Sequence, residues 1–558
     1  MTNRLAARQV RTDLSRAPVP TRGPERGSER GPEHGPERGS PAAGQRRPSA
    51  PDLARGPFGS RPDWKARGAR GAERPPDTIR APSRRTMAIV FHNTFTKRKE
   101  PFETLEPGVV RMYNCGPTVY GRQHVGNFRA FLFADLLRRW LEYRGYEVRQ
   151  VMNITDVGHL VSDGDEGEDK VQVQARKEGK DPFEISAHYA QLFLTDLAAL
   201  DAAHALAYPR ATQYVGEMLE IVDALVERGH AYRVGGDVYF DVSTFPRYGQ
   251  LSGNRIEDLD AGARIEVREE KRHPADFALW KSDPKHLMKW KSHYGDHGFP
   301  GWHIECSAMA RALLGDQLDI HTGGEDNVFP HHECEIAQSE SFTGKRFARF
   351  WLHCKFLQVD GGKMSKSLGN VYTLDDVAAR GFEMRHLRYA LLRGHYRQPL
   401  NFTWAIMKEA QNVLASLDEL RARLEHRVAR PGELDPEAGR AELLQRRAEF
   451  EAALDDDLSV PEALAALFGL REAALNDRLG AAVSRDALAF LTAAHGVLGF
   501  LERPGSGNDD AEIDALVKQR DAARRAKDWA ESDRLRKELE ARGIVLQDSK
   551  DGAIWRRG

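Results

Sequence analysis

Cysteine is scarce in this sequence, with four in 558 residues. So few exclude a disulfide-stapled scaffold and leave free thiols, metal ligands or catalytic groups in a reducing cytosol. No apolar run of about 18 or more residues occurs, so no membrane-spanning helix is expected. The N-terminal stretch has no apolar segment of the secretory type. Net charge is also small, −1 from 82 basic and 83 acidic side chains, which alone makes no case for nucleic acid. What is present is 41% hydrophobic and 30% charged residues. Such a chain can bury several cores, about three to five domains at roughly 100–200 residues each.

The average hides a split. Residues 1–86 carry 19 basic and 9 acidic side chains and 13 of the 28 prolines. A four-residue repeat, Gly-Pro-Glu-Arg and its variants, runs from Gly23 to Arg38. Such composition cannot bury enough apolar surface to offset its ordering entropy, so disorder is expected. Three readings of this arm compete: a basic tail for RNA, an organelle-targeting peptide, or a segment outside the working protein. Nine acidic residues count against targeting. The third reading is favoured, because Met87 opens an apolar, strand-like stretch where the composition changes.

From there the pattern is α/β. Residues 108–115 read as a buried strand, 128–143 as an amphipathic helix stopped by Gly145, and 147–154 as a second strand. That is a βαβ unit. A second is expected from a strand at 318–321, a helix with Pro330 at its first position running to Ser341, and a strand at 350–353. The two halves predict a Rossmann-type parallel-sheet domain over 87–395, interrupted by an insertion at about 160–300. Helical periodicity follows at 383–395, 403–426, 437–455, 460–476 and 484–502, which suits a helical bundle over 396–503. A linker at 504–508 precedes a small tail domain, 511–558, with one helix over 511–542 and a short strand at 544–546. Its 12 basic and 10 acidic residues barely favour RNA by charge.

Three clusters carry chemistry. The first is Cys115-Gly116-Pro117-Thr118-Val119-Tyr120 with His124-Val125-Gly126-Asn127, in the strand-to-helix turn of the first unit. A glycine and a helix N-terminus there can receive a phosphate, and a histidine can donate to phosphoryl oxygens. The bland alternative is a helix cap with a surface histidine. The second is Lys363-Met364-Ser365-Lys366-Ser367 after Asp360-Gly361-Gly362, two lysines able to clamp a polyphosphate in the transition state. The alternative is a basic surface loop. The third is Cys306 with His331 and Glu335, spaced i, i+4, and Cys115: two thiolates, an imidazole and a carboxylate suit tetrahedral zinc. His332 and Cys334 are adjacent competitors, and Cys354 reads as a small buried hydrophobe. Gly323-Gly324-Glu325-Asp326, after the strand at 318–321, could admit an adenosine and its ribose hydroxyls.

Together these stretches, with Met152-Asn153-Ile154-Thr155-Asp156, Trp302 to Met309 and Phe329-Pro330-His331-His332-Glu333, resemble bacterial cysteinyl-tRNA synthetases, class I aminoacyl-tRNA synthetases, over residues 87–558. The resemblance implies one zinc ion on Cys115, Cys306, His331 and Glu335, taking the thiolate of L-cysteine directly. Selection against serine would then need no editing domain. It implies an amino-acid pocket lined by Thr155 and Trp302. ATP with Mg²⁺ would bind through Gly126, Asn127, Gly323, Gly324, Asp326, Lys363 and Lys366, with His124 and Lys366 as the catalytic pair. The bundle and tail would hold tRNA(Cys), and a cytoplasmic monomer is expected. The chain departs from the family pattern in having Asn127 in place of the motif's second histidine. It departs again at 321–327, and in having Cys334, a surplus thiolate beside the site. Rival functions are a cysteine–amino-sugar ligase, which would lack the bundle and tail, a zinc hydrolase, which would not need the lysine loop, and a non-catalytic RNA-binding module.

Overall fold

A computed structural model describes residues 88–161, 167–255, 271–362, 364, 369–501, 508–549 and 552–557, all within the unit Arg85–Gly558. The arm 1–86, Lys363, Lys366 and most of the linker lie outside the described residues.

Strands β1 (Val90–Asn93) and β2 (Arg98–Pro101) form an antiparallel hairpin. The first βαβ unit follows: β3 (Val109–Asn114), α1 (Val125–Tyr143) and β4 (Glu147–Met152). The α1 helix starts three residues before the expected 128, because His124 is its cap. Gly145 follows it at φ +92°, a left-handed conformation open to glycine.

The insertion holds α2 (Lys170–Glu178), α3 (Pro182–Ala199) and α4 (Val215–Glu227). It also holds a five-stranded sheet of β5 (Ala231–Val234), β6 (Asp237–Phe240), β7 (Phe277–Ser282), β8 (Trp290–Ser292) and β9 (Gly295–Pro300), in the order β5-β6-β7-β9-β8. Helix α5 (Trp302–Leu314) leads into the second unit: β10 (Leu318–Gly324), α6 (Glu333–Thr343) and β11 (Ala348–Cys354).

The two units make one sheet in the order β11-β10-β3-β4, with every pair parallel. Alternate strand residues feed two cores. Val110, Met112, Met152, Phe350 and Leu352 join the core containing α1. Tyr113, Val151 and Trp351 join the core with Ile304 and Met309 of α5 and Ile336 of α6. The chain leaves β3 toward β4 and β10 toward β11, in opposite directions, so the crevice for a ligand opens at the C-terminal ends of β3 and β10.

One expectation needs correction here. Gly323 and Gly324 do not follow β10; they are its last two residues. Pro330 opens the next helical run, as expected. Phe329 before it is extended (φ −141°, ψ 133°), as a residue before proline tends to be, and one wide turn leads from Pro330 into α6 at Glu333.

Beyond β11 come β12 (Leu357–Val359), α7 (Leu374–Ala379), α8 (Met384–Leu392) and β13 (Leu400–Phe402). The bundle is α9 (Trp404–Ala429), α10 (Arg440–Asp455), α11 (Val460–Leu475) and α12 (Ala481–Leu498). Fully buried Arg388 ties it to the sheet domain. Its guanidinium donates to the carbonyls of Leu498 (2.7 Å) and Leu200 (3.0 Å) and pairs with Asp135 of α1.

The expected single helix 511–542 is two helices, α13 (Asn508–Arg525) and α14 (Trp529–Ala541). Lys527 adopts φ +61° and Asp528 caps α14 by accepting from Glu531 N (3.1 Å). The break lets Ile513 and Val517 pack on Leu539. Strands β14 (Ile544–Ser549) and β15 (Gly552–Arg557) close the tail as a hairpin. Among the described residues, no helix is long and apolar enough to cross a membrane.

Candidate active site and metal centre

The segments after β3 and β4 are stitched side by side. Thr155 N donates to Pro117 O and Val119 N to Thr155 O, both at 3.0 Å. Gly116 lies so close that a Cβ on it would sit 1.8 Å from Asn153 O. Glycine is therefore required here by contact with protein, not only by room for a phosphate.

His124 caps α1. Its Nδ1 accepts from Asn127 N (3.3 Å), and Asn127 Oδ1 accepts from His124 N (3.1 Å). This reciprocal cap leaves the ring proton on Nε2, a donor beside the positive end of the helix. The capping and functional readings of His124 are thus compatible. Asn127, which stands where the motif's second histidine was expected, completes the cap. Met364 lies against Gly126: a Cβ there would sit 2.0 Å from its methyl carbon. The lysine loop's methionine therefore touches the first cluster. The placement of Lys363 and Lys366 themselves is outside the described residues.

The four residues singled out for metal come together. The ligand atoms of Cys115, Cys306, His331 and Glu335 all lie within 4.8 Å of one another. His331 Nε2 is 3.0 Å from Glu335 Oε1 and 3.5 Å from Cys306 Sγ, and Cys115 Sγ is 3.8 Å from Glu335 Oε1. Donor atoms around a tetrahedral zinc ion stand about 3.3–3.8 Å apart; the His331–Cys306 and Cys115–Glu335 separations match this and the His331–Glu335 pair is closer, so the set suits zinc by donor type and approximates its spacing.

The four groups perturb one another strongly. Burial raises the Cys115 thiol, and its bond to Cys306 raises it further. Burial would also raise Cys306, but Cys115 and His331 outweigh it and bring it down to about 6. Burial would lower His331, yet Glu335 and Cys306 lift it to about 10. Burial would raise Glu335, but His321 and His331 hold it near 2.

A second set shares two of these groups: Cys115, His321, His332 and Glu335. Cys115 Sγ is 3.1 Å from His332 Nε2, and His321 Nε2 is 2.8 Å from Glu335 Oε2. The competitor His332 is thus truly at the site. With one thiolate against two, this set is the harder and less zinc-like. Cys334 belongs to neither set. It is buried in the apolar core, 3.4 Å from the hydroxyl of Tyr248, so the expected surplus thiolate is turned away. Cys354 is buried too, and burial lifts its thiol to about 11, as befits a small hydrophobe.

Sequence reasoning missed the histidines behind the ligands. His303 Nδ1 is 2.9 Å from His331 Nδ1, which leaves His331 Nε2 for the cluster. His332 Nδ1 meets His353 Nε2 at 2.8 Å, and His353 Nδ1 meets Thr94 Oγ1 at 2.9 Å. The available signal was histidine inside buried strands, at His321 and His353, where apolar residues are the rule.

Trp302 flanks this centre, and Thr155 lies beside the turn that follows Cys115. Trp302 is the first residue of α5, and its ring stacks with His331 at 4.2 Å between centroids. Buried Thr155 accepts from Asn153 Nδ2 at 3.1 Å. At the end of β10, a Cβ on Gly324 would sit 2.3 Å from Asp326 Oδ1, so that carboxylate folds over the glycine. Gly324 N donates to Asn327 Oδ1 (3.0 Å), and a Cβ on Gly323 would press on His332.

A parallel sheet split by an insertion, with the Cys115–Asn127 cluster at its switch point and a helical bundle behind it, defines a class I aminoacyl-tRNA synthetase. The family model for the class I (C) tRNA synthetase catalytic domain matches residues 101–412. A DALR domain matches 449–502 and a cysteinyl-tRNA ligase anticodon binding domain 509–556. The fold resembles that of a Mycobacterium tuberculosis methionyl-tRNA synthetase in complex with methionyl-adenylate, with TM-score 0.52 and 18% identity over 70% of this chain and 92% of that one. A cysteine–tRNA ligase of Thermus thermophilus is 45% identical over 84% of this chain and 99% of its own length. Another, from Symbiobacterium thermophilum, is 46% identical over 84% of this chain and 100% of its own. The chain belongs to the cysteine–tRNA ligase family.

Proposed function

We propose that the chain activates L-cysteine with ATP to cysteinyl-adenylate and transfers the cysteinyl group to the 3′ end of tRNA(Cys). The observation that carries this reading is the convergence of Cys115, Cys306, His331 and Glu335 at the C-terminal ends of β3 and β10. Held by those four, a zinc ion would supply a soft Lewis-acidic centre that prefers a thiolate to a hydroxyl. The chain's own groups do the rest. His303 orients His331, and His321 orients Glu335. Trp302 and Thr155 bound the amino-acid pocket.

In the first step the cysteine carboxylate attacks the α-phosphate of ATP, brought with Mg²⁺, and pyrophosphate leaves. Catalysis is positioning and charge stabilisation. His124 Nε2–H donates to phosphoryl oxygen, Gly126 presents its backbone N–H at the helix end, Asn127 holds His124 there through the reciprocal cap, and Lys363 and Lys366 close on the leaving phosphates. Gly323, Gly324 and Asp326 receive the adenosine. In the second step a ribose hydroxyl of the tRNA 3′ end attacks the activated carbonyl, its proton is lost, and the bond to the phosphate breaks to release AMP. Residues 396–503 hold the tRNA stem and anticodon arm, and 511–558 the anticodon. The protein works as a cytoplasmic monomer.

The test is amino-acid-dependent ATP–pyrophosphate exchange, cysteine against serine, with and without a zinc chelator. Cysteine-specific, chelator-sensitive exchange is expected, followed by charging of tRNA(Cys). No exchange from folded, metal-loaded protein would defeat the proposal. Exchange with charging of an amino sugar instead of tRNA would move it to the ligase alternative.

A further inference from the structure

His159 lies in the first turn of the insertion, and nothing in the motif pattern marks it. Its backbone is pinned. Gly158 N donates to Asp169 Oδ2 (2.7 Å), Lys170 N donates to His159 O (3.0 Å), and Leu160 bridges to Asp169. Asp169 is itself locked as the cap of α2.

The ring is held at both nitrogens. Nε2 is 2.7 Å from Lys170 Nζ and Nδ1 is 2.6 Å from Thr118 Oγ1. An ammonium only donates, so Nε2 accepts and the ring proton, assigned from this network, sits on Nδ1 and goes to Thr118. Thr118 belongs to the strand-to-helix turn, between Cys115 and His124. Its own hydroxyl hydrogen is thereby directed away from His159, available to an oxygen of a bound substrate.

The face of the imidazole lies on the indole of Trp302, 3.9 Å between centroids and 8° from parallel. The same indole stacks with His331. His159 is buried, with 8% of its surface exposed, so this contact lies inside the fold and is not a passing surface arrangement.

We propose that His159 is a positioning residue for the cysteine substrate. It fixes the plane of Trp302 through ring stacking and is held in place by Thr118 and Lys170. The insertion thereby supplies one wall of the amino-acid pocket. The inference rests on the cysteine-pocket reading above.

Two variants of matched bulk test it. His159→Phe keeps a ring; His159→Leu fills the volume without one. Cysteine affinity is read by calorimetry on the metal-loaded protein, alongside the ATP KM in pyrophosphate exchange and the metal content. H159L should weaken cysteine binding about three- to tenfold, the worth of an aromatic pair, and H159F, which keeps the stack but loses the bonds to Thr118 and Lys170, should weaken it less. Metal content and the ATP KM should not move. Equal weakening in both variants, wild-type affinity in H159L, a parallel rise in the ATP KM, or loss of metal would each overturn the proposal. Absence of cysteine binding by the wild type would instead defeat the pocket reading itself.

Discussion

The methyl group of Met364 occupies the space that a side chain on Gly126 would need, with an ideal Cβ only 2.0 Å away. Met364, after β12, and the start of α1 are therefore in contact. Gly126→Ala should displace the Met364 methyl and crowd the His124 ring, whose Nδ1 would lie 3.1 Å from the new Cβ. Cysteine-dependent exchange should fall about 10- to 100-fold, as small misplacements of catalytic groups do, with cysteine affinity retained. Unchanged exchange would show that the contact has no part in activation.

Cys306→Ser tests the metal assignment. It exchanges one of two soft donors for a hydroxyl that does not ionise at neutral pH. The loss of metal affinity should exceed the roughly 10- to 100-fold that follows removal of a supporting partner. Metal analysis after dialysis checks this, and a variant that still holds one zinc ion per chain would refute the ligand set.

Lys366 lies outside the described residues, so its role is argued from the motif alone. Lys366→Ala should slow pyrophosphate exchange about 100- to 1,000-fold, the scale of a lost transition-state donor. Calorimetric cysteine affinity should stay near wild type. The opposite pattern, weak cysteine binding at an unchanged rate, would place the lysine in substrate recognition.

Asp135→Asn tests the junction between the sheet domain and the bundle. Burial would raise the Asp135 carboxyl, but the charges of Arg388 and Arg139 hold it below the usual aspartate range. Burial pushes Arg388 down while Asp135 pulls it up, and the guanidinium stays charged at neutral pH. A depressed acid contributes stability above its unfolded pKa and loses it as the pH falls through the folded one. D135N should therefore cost about 3–5 kcal/mol at neutral pH, as breaking a buried pair does. The gap to wild type should narrow below about pH 4, the unfolded aspartate value. Urea unfolding across that range checks it; a gap independent of pH would exclude the ion pair as its source.

Local periodicity made the sheet domain legible. In β3-α1-β4, apolar residues at helical spacing between two buried apolar runs allow one arrangement, and Gly145 marks the stop. The bundle helices were read the same way. The break at Lys527 was not legible, because apolar spacing continues through it and only the packing of α13 on α14 makes a left-handed lysine tolerable. Pro330 was legible as a helix start, because its fixed φ and missing N–H suit the first helical position after an extended residue.

By itself, the sequence determined the class of fold, the family, and the short stretches in which phosphate, thiolate and imidazole chemistry reside, since these depend on residue type at near spacing. Tertiary structure alone decided that Cys115 meets residues about 200 positions away, that Cys334 turns from the cluster while His332 enters it, and that His159 lies on Trp302. Those relations join separate elements across the sheet. They follow from which faces the packed helices bury, and no local pattern encodes that.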